Sequence, residues 1–411
     1  MIGHSFAKRA RWRPDVSSRV HPHFSLALEL TQIPTAAGRE QGVIAFIERW
    51  CAARPHLALS RDAVGNMTVA LRDTPPTSEP PLYITGHLDH PAFVVERVIA
   101  PGTLEVSFRG GVMPVFFEDA PVTLHTGSGP VDGVLTGKSD PSTPAGQHYT
   151  VEFPRGAEAA VGGVATWKLP PAEIDAEGVL HTHACDDLVA VAAAMAAMDE
   201  LLARRASGQV IGDARLLFTR AEEIGFIGAI AACRLGTIPR GARVVALENS
   251  RAFPDSPVGG GPIVRVGDRM SVFTPWLTAA CAARAEQVFG HPATPAASQT
   301  AAAHAGKRPW QRKLMAGGAC EAGVFCHAGF DATCLCLPLG NYHNMPHLAE
   351  LQAGTYDAAS NGPPRCAREF IHTQDYLGLI DLLVALGTNL PSSSPLTPLL
   401  DKLYSDKKYV L

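Results

Sequence analysis

Thr219-Arg-Ala-Glu-Glu-Ile-Gly-Phe226 follows the apolar run Leu216-Leu217-Phe218 and precedes Gly228-Ala-Ile-Ala-Ala-Cys233, a small, helix-compatible segment. The order reads as strand, turn, helix, with the adjacent carboxylates Glu222 and Glu223 at the turn. In an open α/β sheet the carboxyl ends of the strands are where ligands bind. Two neighbouring carboxylates there repel each other unless a cation or a proton intervenes. One could ligate a metal while the other takes a proton from metal-bound water. A glutamate pair alone is a weak signal, since such pairs are usually a solvated helix start, so the decision rests on whether other ligands converge on it.

Working outward, Leu82-Tyr-Ile-Thr-Gly-His87-Leu-Asp89 reads as a buried strand ending in polar residues. Alternation along a strand would put His87 and Asp89 on one face. Asp186-Asp187 leads into an alanine- and leucine-rich helix from Leu188 to Leu202. Arg243 to Leu247 is a further strand, ending in Glu248. Thr333-Cys-Leu-Cys-Leu-Pro338 is another, followed by His343. Ligand-type residues thus gather at four strand ends and one helix start. Imidazole and carboxylate suit zinc, cobalt or manganese rather than a soft thiolate site. Each member has a plain alternative: a core histidine, a helix N-terminal acidic pair, a turn cap. His327 and His347 rival His343, and His181 and His183 lie just ahead of Asp186.

The remaining chain sets the frame. Its 411 residues are 46% hydrophobic, enough for more than one core. A net charge of −4 argues against a nucleic-acid surface. No run approaches the ~20 apolar residues of a membrane span, and the basic N-terminal arm lacks the apolar stretch of a signal peptide. The nine scattered cysteines, with no CxxC pair, read as reduced core residues of a cytoplasmic protein. From about residue 95 to 178 short β-like runs recur between Gly/Pro/Ser/Asp turns, as in a small β-domain inserted into an α/β domain. Thr274-Pro275 opens a helix that Gly290 closes. Residues 292–308, rich in Ala, Thr, Pro and Gly, read as a loop over a pocket or a poorly ordered segment.

The order His-x-Asp (His87, Asp89), Asp-Asp (Asp186, Asp187), Glu-Glu-x-Gly (Glu222 to Gly225), a strand-ending carboxylate (Glu248) and a late histidine (His343) resembles the tetrahedral, or deblocking, aminopeptidase family of dinuclear metallopeptidases. Gly65-Asn66, Gly259-Gly-Gly-Pro262, Gly317-Gly318 and Glu321-Ala-Gly323 extend the likeness over most of the chain. The resemblance implies an α/β/α, mixed-sheet, zinc-peptidase-like catalytic domain (20–94 and 179–390). It also implies a PDZ-like dimerisation domain (95–178), with tails at 1–19 and 391–411.

It further implies two divalent metal ions, zinc first and cobalt or manganese as alternatives. His87, Asp186 and Glu248 would hold one, Asp186, Glu223 and His343 the other, with Asp186 bridging. Glu222 would be the general base, and Asp89 would steady the His87 ring. The implied activity is removal of N-terminal residues from short peptides by a two-metal-activated water, in a homo-oligomer built through the inserted domain. The chain departs from the family at His90-Pro91-Ala92, where Glu is usual, at Leu188 for Arg, at Glu248 for Asp, and at Asn341-Tyr342 before the late histidine. The altered pocket residues leave two other functions open: an amidohydrolase acting on a small N-acyl compound, and an inactive assembly protein.

Overall fold

The computed structural model describes residues 21–75, 78–138, 147–154, 158–293, 308–391 and 394–411. The 1–19 tail lies outside them, as does all of 292–308 except its ends.

Helices α1 (Pro22–Leu30) and α2 (Gln41–Ala52) lead into the hairpin β1 (Leu57–Arg61) and β2 (Met67–Leu71), then β3 (Leu82–His87). Six strands follow: β4 (Ala92–Ala100), β5 (Thr103–Arg109), β6 (Pro121–Thr126), β7 (Gly129–Lys138), β8 (Gln147–Glu152) and β9 (Val164–Trp167). They pair in the order β4-β5-β8-β7-β6-β9 and close into a barrel. Inward residues of every strand supply its own core, in which Phe93, Phe108, Phe117, Tyr149 and Trp167 meet. The Phe117 and Tyr149 rings stack at 4.5 Å, and closure leaves no unpaired edge.

Beyond the barrel come β10 (Glu173–Ile174), β11 (Val179–Thr182), α3 (Leu188–Ala206), β12 (Ala214–Thr219), α4 (Ile227–Leu235), β13 (Arg243–Arg251) and β14 (Ile263–Asp268). The chain continues through α5 (Pro275–Phe289), β15 (Gln311–Met315), α6 (Glu321–His327) and β16 (Asp331–Leu339). It ends with α7 (Leu348–Ala353), α8 (Ala358–Asn361), β17 (Glu369–His372), α9 (Thr373–Thr388) and α10 (Leu396–Lys407). The main sheet has eight strands in the order β1-β2-β12-β3-β13-β16-β14-β15. Its central four, β12, β3, β13 and β16, run parallel, whereas β2 and β14 join them antiparallel. A mixed sheet results, and the parallel block aims four carboxyl ends at one edge.

Strand alternation explains the layers. Ile84, Leu216, Phe218, Val245 and Leu247 face one core with α3, α5 and α9. Tyr83, Leu217 and Val244 face the other, against α4 and α6. Every residue of α3 from Leu188 to Met198 is buried, and its alanines let the sheet and α9 approach from both sides, as an all-round apolar helix requires. Helix α5 starts at Pro275 after Thr274 and ends at Gly290 with φ +71°. The C-terminal stretch expected as a tail forms α10, none of whose residues is buried. Among the described residues no helix is long and apolar enough to cross a membrane.

Candidate metal centre

His87 is the last residue of β3, Glu222 and Glu223 follow β12, Glu248 lies inside β13, and His343 follows β16. Asp186 precedes α3, and its peptide bond to Asp187 is cis. The parallel register aligns Thr219 with His87, so three strand ends and the interior of β13, which runs on to Arg251 past the end expected at Glu248, deliver their side chains to one place.

His87, Asp186 and Glu248 offer ligand atoms all within 4.8 Å of one another, and so do Asp186, Glu223 and His343. The two groups share Asp186. Its oxygens part between them: Oδ1 lies 3.3 Å from His87 Nε2 and Oδ2 3.5 Å from His343 Nε2. Glu223 Oε2 is 3.4 Å from His343 Nε2, and Glu222 Oε2 is 3.9 Å from His87 Nε2. Both imidazoles are aimed by carbonyls. His87 Nδ1 donates to the Asp89 backbone oxygen (3.0 Å) and His343 Nδ1 to Gly111 (2.7 Å). Each bond fixes the proton on Nδ1 and leaves Nε2 free to ligate.

The electrostatics call for a cation. Burial, then Asp186 and Glu222, push the Glu223 carboxyl well above its ordinary range, and the same causes raise Glu248. Burial, reinforced by Glu321, Asp89 and Asp186, raises Glu222 as well, against the pull of His87. For His87, burial acts downward but Glu222, Asp186 and Asp89 override it, and the imidazole stands well above its usual value. Carboxylates crowded out of water in this way need a positive partner. Buried Asp186 Oδ1 and Glu223 Oε1 make no hydrogen bond among the described residues. A nitrogen and oxygen donor set with two orphaned oxygens fits two divalent ions of the zinc, cobalt or manganese kind.

The turn carrying Glu222 and Glu223 is held from three sides. The Asp89 carboxylate accepts from both of their N–H groups, at 2.9 and 3.0 Å. It lies 3.7 Å from His87 Nδ1, so its closer contacts are with the turn rather than the ring. Glu40 accepts from Arg220 Nε and Nη2 (2.9 and 2.7 Å) and from the Ala221 N–H (3.1 Å). Asn66 Oδ1 accepts from the Arg220 N–H at 3.1 Å. These bonds sustain Ala221 at φ +54°, a left-handed conformation that a non-glycine residue adopts only when its surroundings demand it. Gly228 closes the turn, since a Cβ there would lie 2.4 Å from the Arg220 backbone nitrogen and oxygen.

A cavity of about 520 Å³ opens beside Glu248, walled by Val112, Met113, Phe253, Met315 and Arg265 among others. Val112 and Met113 come from the segment after β5, so the barrel furnishes part of the wall, and Gly111 of the same segment positions His343. The other histidines belong to neither ligand group, although His90 Nδ1 donates to the Asp186 backbone oxygen at 2.5 Å. His181 binds Asp175 at 3.0 Å, His183 faces His90, His347 faces Tyr356, and His327 ends α6. Glu40 and the Gly111 carbonyl went unseen in the sequence. A lone glutamate before a helix and a backbone oxygen leave no pattern to read.

Comparison with known proteins agrees with this picture. Residues 65–149 match the model of the M42 glutamyl aminopeptidase family. No curated protein matches the chain. The fold is shared with a TET aminopeptidase from a marine-sediment Thaumarchaeota archaeon, at TM-score 0.68 and 18% identity over 90% of this chain and 98% of that one. The Pyrococcus horikoshii TET1 peptidase superposes at 0.65, again 18% identical, over 90% and 100%. An aminopeptidase from Desulfurococcus kamchatkensis gives 0.65 at 17% over 89% and 94%. The resemblance read from the motifs and the similarity found by comparison point to the same family.

Proposed function

We propose that this chain is a metal-dependent aminopeptidase that removes N-terminal residues from short peptides. The observation that carries this reading is the pair of ligand groups sharing Asp186, with Glu222 beside them in neither three-residue group of that pair. His87, Asp186 and Glu248 would hold one ion, and Asp186, Glu223 and His343 the other. Two divalent ions, with zinc preferred and cobalt or manganese as alternatives, supply Lewis acidity at a scissile carbonyl when bound.

The chain's own residues do the rest. Glu222 takes a proton from the attacking water and returns it to the leaving amine. Asp89 and Glu40, through the turn, keep its carboxylate in place. The cavity beside Glu248 receives substrate and displaces water from it.

We also assign the barrel the role of a PDZ-like dimerisation unit within a homo-oligomer. Its separate core and its insertion between β3 and β10 support this. The Pyrococcus horikoshii TET1 peptidase assembles into a tetrahedron or a large octahedral shell. Nine cysteines, all free, fit a cytoplasmic location.

The test is a panel of aminoacyl amides and short peptides, offered to metal-free protein and to protein reloaded with zinc, cobalt or manganese. Metal-dependent release of the first residue is expected, with Glu222→Gln lowering kcat by about 10²–10⁴-fold at unchanged metal content. Metal uptake without cleavage of any peptide, alongside turnover of an N-acyl amino acid, would replace this reading with a small-molecule amidohydrolase.

A further inference from the structure

Asp186 and His343, the first and last ligands of the Asp186–Glu223–His343 group, are joined by a carboxylate that belongs to neither ligand group. Glu369 begins β17 and is fully buried. Its Oε2 accepts the N–H of Cys185 at 2.6 Å and of Asp186 at 3.1 Å. Its Oε1 accepts the N–H of His343 at 2.8 Å. Strand β17 ties the same two regions through its backbone. Glu369 is in register with Thr182 of β11, four residues before Asp186. Phe370 exchanges hydrogen bonds of 2.9 and 3.2 Å with Gly340, three residues before His343.

His343 needs such a hold. Its backbone sits at φ 54°, ψ 37°, between Asn341 at φ 54° and Asn344 at φ 62°. Left-handed backbone at three of four consecutive non-glycine residues is costly and persists only where contacts over-determine it. A carboxylate has the acceptor capacity for three convergent N–H donors on two oxygens. The isosteric amide does not: one of its ends is an NH₂, which would confront a backbone N–H.

We infer that Glu369 is the positioning residue of the metal centre, a clamp that fixes the bridging ligand Asp186 against the terminal ligand His343. The inference rests on the two-metal reading for its consequence but not for its geometry. Both clamped residues belong to the Asp186–Glu223–His343 group, whereas the His87–Asp186–Glu248 group contains one of them. Loss of the clamp therefore falls mainly on the first of these groups. Removing a group that orients a ligand typically lowers metal affinity by ~10–100-fold.

Glu369→Gln and Glu369→Asp separate the alternatives. The first keeps the size and loses one acceptor; the second keeps the charge but is too short to span both loops. Full-length wild type and both variants are prepared metal-free. Hydrogen exchange is followed in the segments 183–187 and 341–345, and cobalt(II) is titrated in with its visible absorption spectrum as the readout. The expected result is faster exchange in both segments together, and one cobalt equivalent weakened by ~10–100-fold while the other changes several-fold less. Wild-type exchange in either segment, or equal weakening of both equivalents in step with a general loss of thermal stability, would overturn the clamp. If wild type takes up fewer than two equivalents, the two-metal reading fails, while the exchange data on metal-free protein still decide whether Glu369 clamps the loops.

Discussion

Removing Glu40 tests whether the turn that carries Glu222 and Glu223 is held by a buried ion pair. Glu40 is fully buried, and the side chain of its partner Arg220 is about a quarter exposed, at 24%. Its carboxylate accepts from Arg220 twice, from Ala221, and from Gly38 at 2.7 Å. Glu40→Ala leaves a half-buried guanidinium without its anion and two N–H groups without an acceptor. Breaking a buried pair costs about 3–5 kcal/mol. Arg220 can still reach water, which puts the expected loss near the low end, about 3 kcal/mol. Arg220→Ala strands the carboxylate in turn. In the double variant neither charge remains to be stranded, so the two losses do not add. A double-mutant cycle by urea midpoint should give a coupling energy of about 2–3 kcal/mol. Turnover should fall in each single variant because the turn that aims the Glu222 carboxylate loses one of its holds while Asp89 and Asn66 keep theirs. A coupling below about 0.5 kcal/mol, the level of an exposed pair, would refute the claim that the pair holds the turn.

Two further predictions concern the barrel. Burial lowers the His125 imidazole from 6.5 to about 4. Below pH 6.5 the unfolded chain therefore binds a proton that the folded barrel refuses, and stability present above pH 6.5 is lost as pH falls toward 4. His125→Gln, compared with wild type by urea midpoint across that range, should lose less stability by up to about 3 kcal/mol; superimposable profiles would contradict this. Val98 and Ile99 are 46% and 48% exposed at the end of β4. If the barrel mediates assembly, Val98→Asp with Ile99→Asp should lower the mass measured by sedimentation, and unchanged assembly would locate the interface elsewhere.

The sequence was most readable where a candidate ligand stands on or beside a regular element. His87, Glu222, Glu223, Glu248, Asp186 and His343 each stand on or beside a strand or helix that its apolar pattern announces, and the structure brings all six together. The supporting contacts were far less visible. Glu40 and Glu369 act by accepting backbone N–H groups, which any isolated glutamate can do, so only the folded chain reveals which ones do it. The closed barrel was visible only as a run of short strands, because closure depends on β9 finding β4, a pairing some seventy residues apart that no local pattern encodes. Edge strand β15 was missed because its sequence, Gln311-Arg-Lys-Leu-Met315, carries little of the apolar alternation of a half-buried strand. Asp89, expected on the strand with His87, lies just past the end of β3 and makes a different contact from the one expected. Its carboxylate faces the glutamate turn, and its main-chain oxygen is what holds His87.

The sharing of Asp186 between two ligand groups is the central claim, and counting metal ions tests it most directly. Metal-free wild type, Glu222→Gln and Asp186→Asn would each be dialysed against zinc and the bound metal measured per chain. The account predicts two ions in wild type and in Glu222→Gln. It predicts weakened binding of both in Asp186→Asn, because that one residue serves both groups. One ion or none in wild type, or two tightly held ions in Asp186→Asn, would contradict it.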